Sequence, residues 1–332
     1  MRRFLLVFLL VLVSVLVSCE LMAPNPEKGK MHIVVYGNNY KQTRYLTGYA
    51  PSLSGTVNDA VQVGNALTAL AERSGKEWDA TYILGTDQHW GGTSLRPTIN
   101  TILGLPSTDE HTTVVDDLSR AKLKEILADY AENSSSSDVF IFYYSGHGFY
   151  DMKKMDRVPY DETVAQYGSF CTSTNKSIPR RLEFYRFSDF LSDISRIPGK
   201  KLVLADCCYS GCLVETDGFS VDRVLYPGTL FGYGKGSVEK DLFVLSASQY
   251  FNESQDRGEH GEFTDLLLQG LGWTDETQTL SEIIPCEEKG YLTLDSLVSY
   301  IKFYNAEEYN NDYKQKVSVT GGSQDFLLFD FH

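Results

Sequence analysis

Two stretches of the sequence carry residues whose types and spacing could do chemistry together. Residues 138–148 form an apolar, aromatic run that ends with His147 between two glycines. Residues 201–211 have the same design, an apolar run that ends in an aspartate, Cys207 and Cys208. An imidazole beside a thiol is the requirement for a Cys-His dyad, in which the base removes the proton of the nucleophile. The two stretches therefore predict a cysteine nucleophile with a histidine base.

Both stretches are typical of buried strands in a parallel sheet. In open α/β sheets, ligands bind beyond the carboxyl ends of the strands, where both polar ends lie. Alternation along a strand places Asp206 and Cys208 on one face and Cys207 on the other, and it pairs Ser145 with His147. The sequence thus predicts Cys208, rather than Cys207, as the nucleophile.

The rest of the chain alternates between apolar runs typical of strands and segments with helical periodicity. This alternation predicts a layered α/β sheet in one domain, residues 31–332. Residues 85–115, 150–180 and 216–240 lack a clear period and are interpreted as a surface insertion, a loop over the functional edge of the sheet, and a further loop. Predicted strands cover 31–36, 80–84, 242–248 and 325–330, and predicted helices cover 57–71, 118–130, 187–194, 263–271 and 292–304.

The composition excludes one class of partner. Lys plus Arg number 30 against 44 Asp plus Glu, which gives a formal net charge of −14. A uniformly acidic protein gains nothing from counterion release on a phosphate backbone, so nucleic acid is not expected as a partner. Such a surface attracts cationic ligands. The excess of acidic residues is also explained by solubility alone. The 42% apolar content is ample for a core.

The amino terminus has the pattern of an export signal. Two arginines precede the apolar run 4–17, which is too short for a spanning helix. The end of this run, residues 16–19, resembles a bacterial lipobox. That resemblance implies a signal peptide over 1–18, a lipid on Cys19, a tether over 19–30 and an exported lipoprotein anchored in the cell envelope without a span. A plain cleaved signal with a chance cysteine is the alternative.

The other cysteines leave their pairing open. Five remain after Cys19, and an odd number in an exported protein leaves at least one free thiol, while a disulfide between two of them stays possible. Their spacing lacks the paired Cys-x-x-Cys units of a structural zinc site, so no metal site is predicted. These cysteines are Cys171, Cys207, Cys208, Cys212 and Cys286.

The two stretches resemble the catalytic motifs of caspase-like cysteine peptidases, peptidase family C14. Residues 145–148 read Ser-Gly-His-Gly, and residues 206–211 match the Asp-x-Cys-x-Ser-Gly motif of the metacaspase and orthocaspase branch. Residues 53–60, 245–249 and 262–264 are also similar to that family. The resemblance implies a three-layer α/β/α sandwich around a mostly parallel sheet of about six strands. The Gln-Ala-Cys motif of true caspases is absent, so cleavage after Asp is not expected.

The resemblance also assigns roles at the site. It implies that the backbone N–H groups of Gly148 and Cys208 form the oxyanion hole. It implies that the pocket for the side chain before the cut bond is lined by Thr56, Asp59, Ser145 and Asp206. Two converging carboxylates repel each other, and the planar fork of an arginine relieves this best. Cleavage after Arg, then Lys, is therefore predicted. Alternatively, Asp59 is only a helix-start charge and Asp206 only a brace for its loop.

Several points stay open from the sequence. His147 either takes the Cys208 proton during the reaction or holds a resting thiolate–imidazolium pair before an acyl-enzyme forms. A different class of function, a non-catalytic caspase-like lipoprotein for binding or scaffolding, is the alternative to an endopeptidase. Many metacaspases are activated by calcium, but the nearest acids, Glu215, Asp217 and the pair 161–162, are explained equally well as solvated charges. No cofactor is required for the chemistry, and a monomer that acts on peptides or proteins is expected.

Overall fold

Strands and helices alternate along the part of the chain that the computed structural model describes. That part comprises residues 29–41, 43–45, 48–85, 110–149, 168–174, 180–213, 241–248, 253–254, 258–308, 317–319 and 326–332. The helices are α1 Thr56–Arg73, α2 Arg120–Asn133, α3 Phe187–Ser195, α4 Glu262–Gly270 and α5 Leu294–Glu308. The strands are β1 Met31–Asn38, β2 Thr43–Tyr45, β3 Gly48–Tyr49, β4 Trp78–Gly85, β5 Thr112–Val115, β6 Val139–Ser145, β7 Gly148–Phe149, β8 Ser169–Ser173, β9 Arg180–Arg186, β10 Lys200–Asp206, β11 Leu242–Ser246, β12 Trp273–Thr274, β13 Thr279–Leu280, β14 Glu287–Glu288, β15 Tyr291–Thr293, β16 Ser318–Val319 and β17 Leu327–Asp330.

The central sheet has seven strands in the order β16-β11-β10-β6-β1-β4-β5. Six of them run parallel, and the short edge strand β16 pairs antiparallel with β11. The prediction of a mostly parallel sheet of about six strands is therefore confirmed. The described chain also forms smaller sheets, and the largest of them has the order β3-β2-β9-β8-β7. Its strand β7 follows closely after β6 in the sequence.

Helices cover both faces of the central sheet, which makes three layers. Along β6, Val139, Ile141 and Tyr143 belong to the apolar cluster built with α1, α4 and α5. The alternate residues Phe140 and Phe142 belong to the cluster built with α2 and α3. Strands buried on both faces read as continuous apolar runs, as β6 and β10 do. Each fully buried side chain of this size contributes about 1.5–3 kcal/mol to folding.

The register of β6 and β10 fixes the functional edge. Ser145 lies opposite Asp206, each the last residue of its strand. Beyond this pair, the Gly146 N–H donates to the Asp206 carbonyl at 3.3 Å. On the other side of β6, Gly37 of β1 lies opposite Ser145. A Cβ on Gly37 would lie 2.5 Å from the Thr56 carbonyl oxygen, so only glycine lets the start of α1 approach the sheet this closely.

Three sequence interpretations need correction. The insertion 85–115 contains β5, whose Thr-Thr-Val-Val run is β-branched but is hidden in a polar segment. The loop 150–180 contains β8, which is wholly buried, and ends at the first residue of β9. The predicted strand 325–330 pairs with β15 in a separate small sheet rather than closing the central one. The remainder of the first two segments, and residues 216–240, lie outside the described residues.

The predicted export signal also falls outside the described chain. Residues 1–28, which include Cys19 and most of the tether, are not described. No helix in the described ranges is long and apolar enough to cross a membrane. The signal, the lipid anchor and the domain limits 31–332 therefore stay predictions.

A buried histidine ties the amino ends of three strands together, at the edge opposite the functional one. His32 of β1 hydrogen-bonds Asp79 of β4 at 2.9 Å and Asp138, which precedes β6, at 3.3 Å. Burial alone would lower the pKa of His32, but its bonds to these two carboxylates and their charges raise it above the ordinary value of 6.5. The pKa of Asp79 is lowered in return, chiefly by its bond to His32, and the pKa of Asp138 is lowered chiefly by the backbone N–H groups of Ser135 and Lys30. Protonated His32 thus stabilises the folded state.

This cluster makes stability depend on pH with a definite sign. A histidine whose pKa is raised by folding stabilises the folded state fully at a pH below its unfolded-state pKa of about 6.5. This stabilisation is lost as the pH rises through the folded-state pKa. His32→Gln keeps a hydrogen-bonding side chain that cannot be charged. We expect the variant to lose roughly 1–3 kcal/mol of unfolding free energy at pH 6, and less as the pH rises through the folded-state pKa of His32. Urea unfolding at several pH values measures this, and a pH-independent difference would contradict it.

Candidate active site

The two motifs meet where the ends of β6 and β10 run side by side. A Cβ on Gly148 would lie 1.8 Å from the Cys208 carbonyl oxygen and 3.0 Å from the Cys207 sulfur. Only a glycine lets the two backbones pass at this distance. The structure therefore places the backbone that follows His147 directly against Cys208, as the shared strand edge predicts.

Cys208 sits in a strained turn immediately after β10. The next residue, Tyr209, has a φ of 59°, in the left-handed region that non-glycine residues rarely adopt. Strain of this kind costs about 1–3 kcal/mol and persists where neighbours determine the backbone. Ser248 is such a neighbour, because its hydroxyl donates to the Cys207 carbonyl at 3.2 Å and accepts the Ser210 N–H at 3.1 Å. The turn leaves Cys208 partly exposed while Cys207 is buried.

His147 is held through both its backbone and its ring. The Tyr40 hydroxyl accepts the His147 N–H at 2.9 Å and donates to the Cys171 carbonyl at 2.7 Å. The Tyr40 ring lies 4.5 Å from the imidazole, centroid to centroid. The His147 Nε2 lies 2.8 Å from the Pro51 carbonyl, which can only accept, so Nε2 carries the proton. In the neutral ring, Nδ1 is then the basic nitrogen.

Asp59 is turned into the protein rather than toward solvent. Its side chain lies in the first turn of α1 and is 2% exposed. The Ser145 hydroxyl donates to Asp59 Oδ2 at 2.7 Å. Burial raises the pKa of Asp59 to about 7, although a bond from His260 opposes this, and the charge of Asp206 adds to the rise. A solvated helix-start charge does not describe this carboxylate.

Asp206 lies on the same face and is held by hydroxyl groups. Its Oδ1 accepts from Ser254 and its Oδ2 from Thr264 of α4, each at 2.6 Å. A Cβ on Gly261 would lie 2.2 Å from Oδ2, so α4 begins directly against this carboxylate. Neutral donors stabilise a buried carboxylate without cancelling its charge.

The fourth predicted pocket residue is Thr56, whose hydroxyl bonds to the backbone. Its hydroxyl donates to the Asn38 carbonyl at 2.8 Å and so fastens the start of α1 to the end of β1. The other three lie close together. Ser145 donates to Asp59, and the charge of Asp206 raises the pKa of Asp59. Thr56 is buried beside them with its hydroxyl directed at the backbone.

Comparison with known proteins identifies the family. The caspase domain family, Peptidase C14, matches residues 30–286, more than half of the chain. The chain belongs to the caspase-domain family. This is a family of cysteine peptidases.

Two solved structures are similar to the chain, and the first of them supports the fold. The crystal structure of a Geobacter sulfurreducens protein is 16% identical, covers 87% of this chain and 92% of its own, and has a TM-score of 0.50. Caspase-1 from Spodoptera frugiperda is 12% identical, with 90% and 88% coverage and a TM-score of 0.44. No curated protein matches the sequence significantly.

His260 also belongs to this caspase-family site, although no motif in the sequence indicates a role for it. His260, just before α4, hydrogen-bonds Asp59 Oδ1 through Nδ1 at 2.6 Å, and its Nε2 contacts Asp275. Burial lowers its pKa, but the bonds and charges of Asp275 and Asp59 together raise it to about 10. Its only signal in the sequence is its position next to Gly261 and to residues 262–264, which are similar to the family, because Asp59 lies 201 residues away along the chain.

The remaining cysteines are packing residues in the described chain. Cys171, Cys207, Cys212 and Cys286 are buried, and none of the five described cysteines forms a disulfide. Within the described ranges, no group of three metal-binding side chains comes together. Residues 161–162, Glu215 and Asp217, the acids considered for calcium, lie outside those ranges.

The surroundings of Cys208 favour the protonated thiol. Burial raises its pKa to about 11, and Sγ donates to the Ser254 carbonyl at 3.8 Å. A resting thiolate–imidazolium pair would instead hold the pKa well below its usual range. The surroundings of Cys208 therefore disfavour a resting thiolate.

Alkylation kinetics test this protonation state. We expect iodoacetamide to modify Cys208 at a rate that rises about tenfold per pH unit between pH 7 and 10, because the thiolate is the reactive form. Peptide mapping separates Cys208 from the buried Cys207, which serves as the internal control. A rate that is already maximal at pH 6 would show a resting thiolate and contradict the expectation.

Proposed function

We propose that this caspase-family protein is a cysteine endopeptidase that cleaves peptide bonds after Arg and, less efficiently, after Lys. The observation that supports it most is the contact of Gly148 with the Cys208 backbone, which joins the histidine and cysteine motifs at one sheet edge. His147, with its proton on Nε2, has the correct tautomer for a base at Nδ1.

The proposed mechanism uses groups already at this edge. His147 Nδ1 takes the proton from Cys208 Sγ, and the thiolate attacks the peptide carbonyl to form a tetrahedral oxyanion. The N–H groups of Gly148 and Cys208 stabilise that oxyanion, a contribution of about 3–4 kcal/mol per donor in other enzymes. His147 then protonates the leaving amine, and water hydrolyses the acyl-enzyme by the reverse proton path.

Two buried carboxylates on one face support a basic specificity. Asp59 and Asp206 are 1% and 5% exposed, and each interacts with the other's charge. A buried carboxylate is costly without a cation or donors, and a substrate cation lowers that cost. A negatively charged substrate side chain would add a third like charge, so cleavage after Asp is not expected.

The cellular setting is part of the proposal. We propose an exported lipoprotein of the bacterial envelope, with its signal peptide over 1–18 and its lipid on Cys19. The substrate is a peptide or protein, the protein is a monomer and neither a cofactor nor nucleic acid takes part. Calcium activation has no supporting site among the described residues. The alternative, a binding or scaffolding module, has no observation in its favour.

Cleavage of a peptide library tests the activity. We expect cuts after Arg, fewer after Lys and none after Asp. Cys208→Ala and His147→Ala should each lower kcat by at least about a thousandfold. Cys207→Ala, the matched control one residue away, should keep its activity. A library left intact by folded wild type, or undiminished cleavage by Cys208→Ala, would overturn the peptidase assignment and favour a binding module.

The Asp59 pKa gives a pH dependence for substrate binding. Below about pH 7 the carboxyl is neutral, and above it the carboxylate attracts a cation. We expect the Kd of an Arg peptide for Cys208→Ala, in which no cleavage intervenes, to fall by roughly tenfold from pH 6 to 8. Asp59→Asn should bind weakly with no such change. Equal pH dependence in the two proteins would contradict the prediction.

A further inference from the structure

The side chain paired with the Asp59 carboxylate belongs to the protein itself and is the imidazole of His260. His260 Nδ1 lies 2.6 Å from Asp59 Oδ1, and its Nε2 contacts the Asp275 carboxylate. The imidazole side chain is 12% exposed and Asp59 only 2%. A histidine between two carboxylates keeps both ring nitrogens as donors, so it is the charged member of the cluster.

The other oxygen of Asp59 is engaged as well. Ser145 donates to Oδ2, so one donor from β6 and one from the segment before α4 hold the two oxygens. Asn58 lies beside the ring, with its amide nitrogen 3.4 Å from His260 Nε2. A substrate cation that reaches this cluster meets one carboxylate already paired with an imidazolium, and a second, Asp206, held by hydroxyl groups.

We propose that His260 is a specificity-determining residue of the substrate pocket: it occupies Asp59 as an internal cation and thereby limits the advantage of Arg over Lys. The inference rests on the proposed function. A guanidinium gains most when its fork meets two carboxylates, whereas an ammonium is a point charge that one carboxylate satisfies. With Asp59 Oδ1 bonded to His260 and its charge partly offset, the arginine fork gains less from Asp59 and depends more on Asp206.

Asp275 is the positioning residue in this arrangement. It lies in the turn between the short strands that follow α4, and its side chain is 32% exposed. Its carboxylate holds the far side of the ring and favours the charged form. The groups that face His260 are thus Asp59 from α1 and Asp275 from that turn, and the Asp206 charge from β10 acts on Asp59.

Matched Arg and Lys peptides test the proposal. In His260→Gln the amide can still bond Asp59 but carries no charge, so Asp59 becomes available to substrate. We expect kcat/KM at pH 8 to rise about tenfold for the Arg peptide and about threefold for the Lys peptide, which widens the Arg:Lys ratio. His332→Gln, at the carboxyl terminus, is the control and should leave both values unchanged. A fall in the Arg value, or an unchanged ratio, would overturn the proposal.

A milder variant covers the case in which His260→Gln does not fold. Asp275→Asn removes the charge on the exposed side of the ring and leaves Asp59 and His260 in place. We expect the Arg:Lys ratio to widen in the same direction by a smaller factor, about twofold. No change in the ratio would count against His260 as the determinant.

Imidazole NMR separates failure of this inference from failure of the proposed function. In the wild-type protein we expect the His260 ring to stay doubly protonated to above pH 8, and Asp59→Asn to lower its pKa. A His260 that titrates near 6.5 in both proteins would refute the ion pair even if Arg peptides are cleaved. If the ion pair is present but neither Arg nor Lys peptides are cleaved, the proposed function fails and the specificity role fails with it.

Discussion

The parallel pairing of β6 with β10 in one register is the constraint on which the site depends. It places Ser145 opposite Asp206 and leaves the following residues of both strands to run side by side. A shift of one residue would turn every side chain of the strand to the other face. Cys208 would then exchange its place with Cys207, which packs in the apolar cluster built with α2 and α3. The apolar faces of both strands, each buried under helices, hold this register.

Close backbone contacts and strained turns then hold the residues of the candidate site near one another. Gly148 admits the Cys208 carbonyl, Gly261 admits the Asp206 carboxylate, and Gly37 admits the start of α1. Tyr40 and Tyr209 both have positive φ values, and they flank the histidine and the cysteine. Backbone strain concentrates where the surrounding structure determines it, and such places are commonly functional. The same contacts bring two carboxylates within reach of each other's charge, and His260 offsets part of that repulsion.

The sequence predicted the central sheet and the meeting of its two polar ends because period-2 alternation and buried runs are local signals. It missed β5 and β8, since short strands inside polar segments show no period until their neighbours are known. It also missed His260 and the support of His147 by Tyr40, whose partners are distant along the chain. The pocket role that the resemblance assigns to Thr56 stays a prediction, and its hydroxyl bonds the Asn38 carbonyl. Contacts that depend on three-dimensional packing leave little trace in a single sequence.

Covalent capture by a substrate-like reagent can identify the reactive thiol. A peptidyl-arginine chloromethyl ketone should occupy the basic pocket and alkylate the reactive thiol, and peptide mapping then identifies the sulfur. We expect one adduct, on Cys208, that is abolished by His147→Ala and outcompeted by an Arg peptide but not by the matching Asp peptide. An adduct on Cys207 or another cysteine, or labelling of Cys208 that is indifferent to His147 and to the peptide, would contradict it.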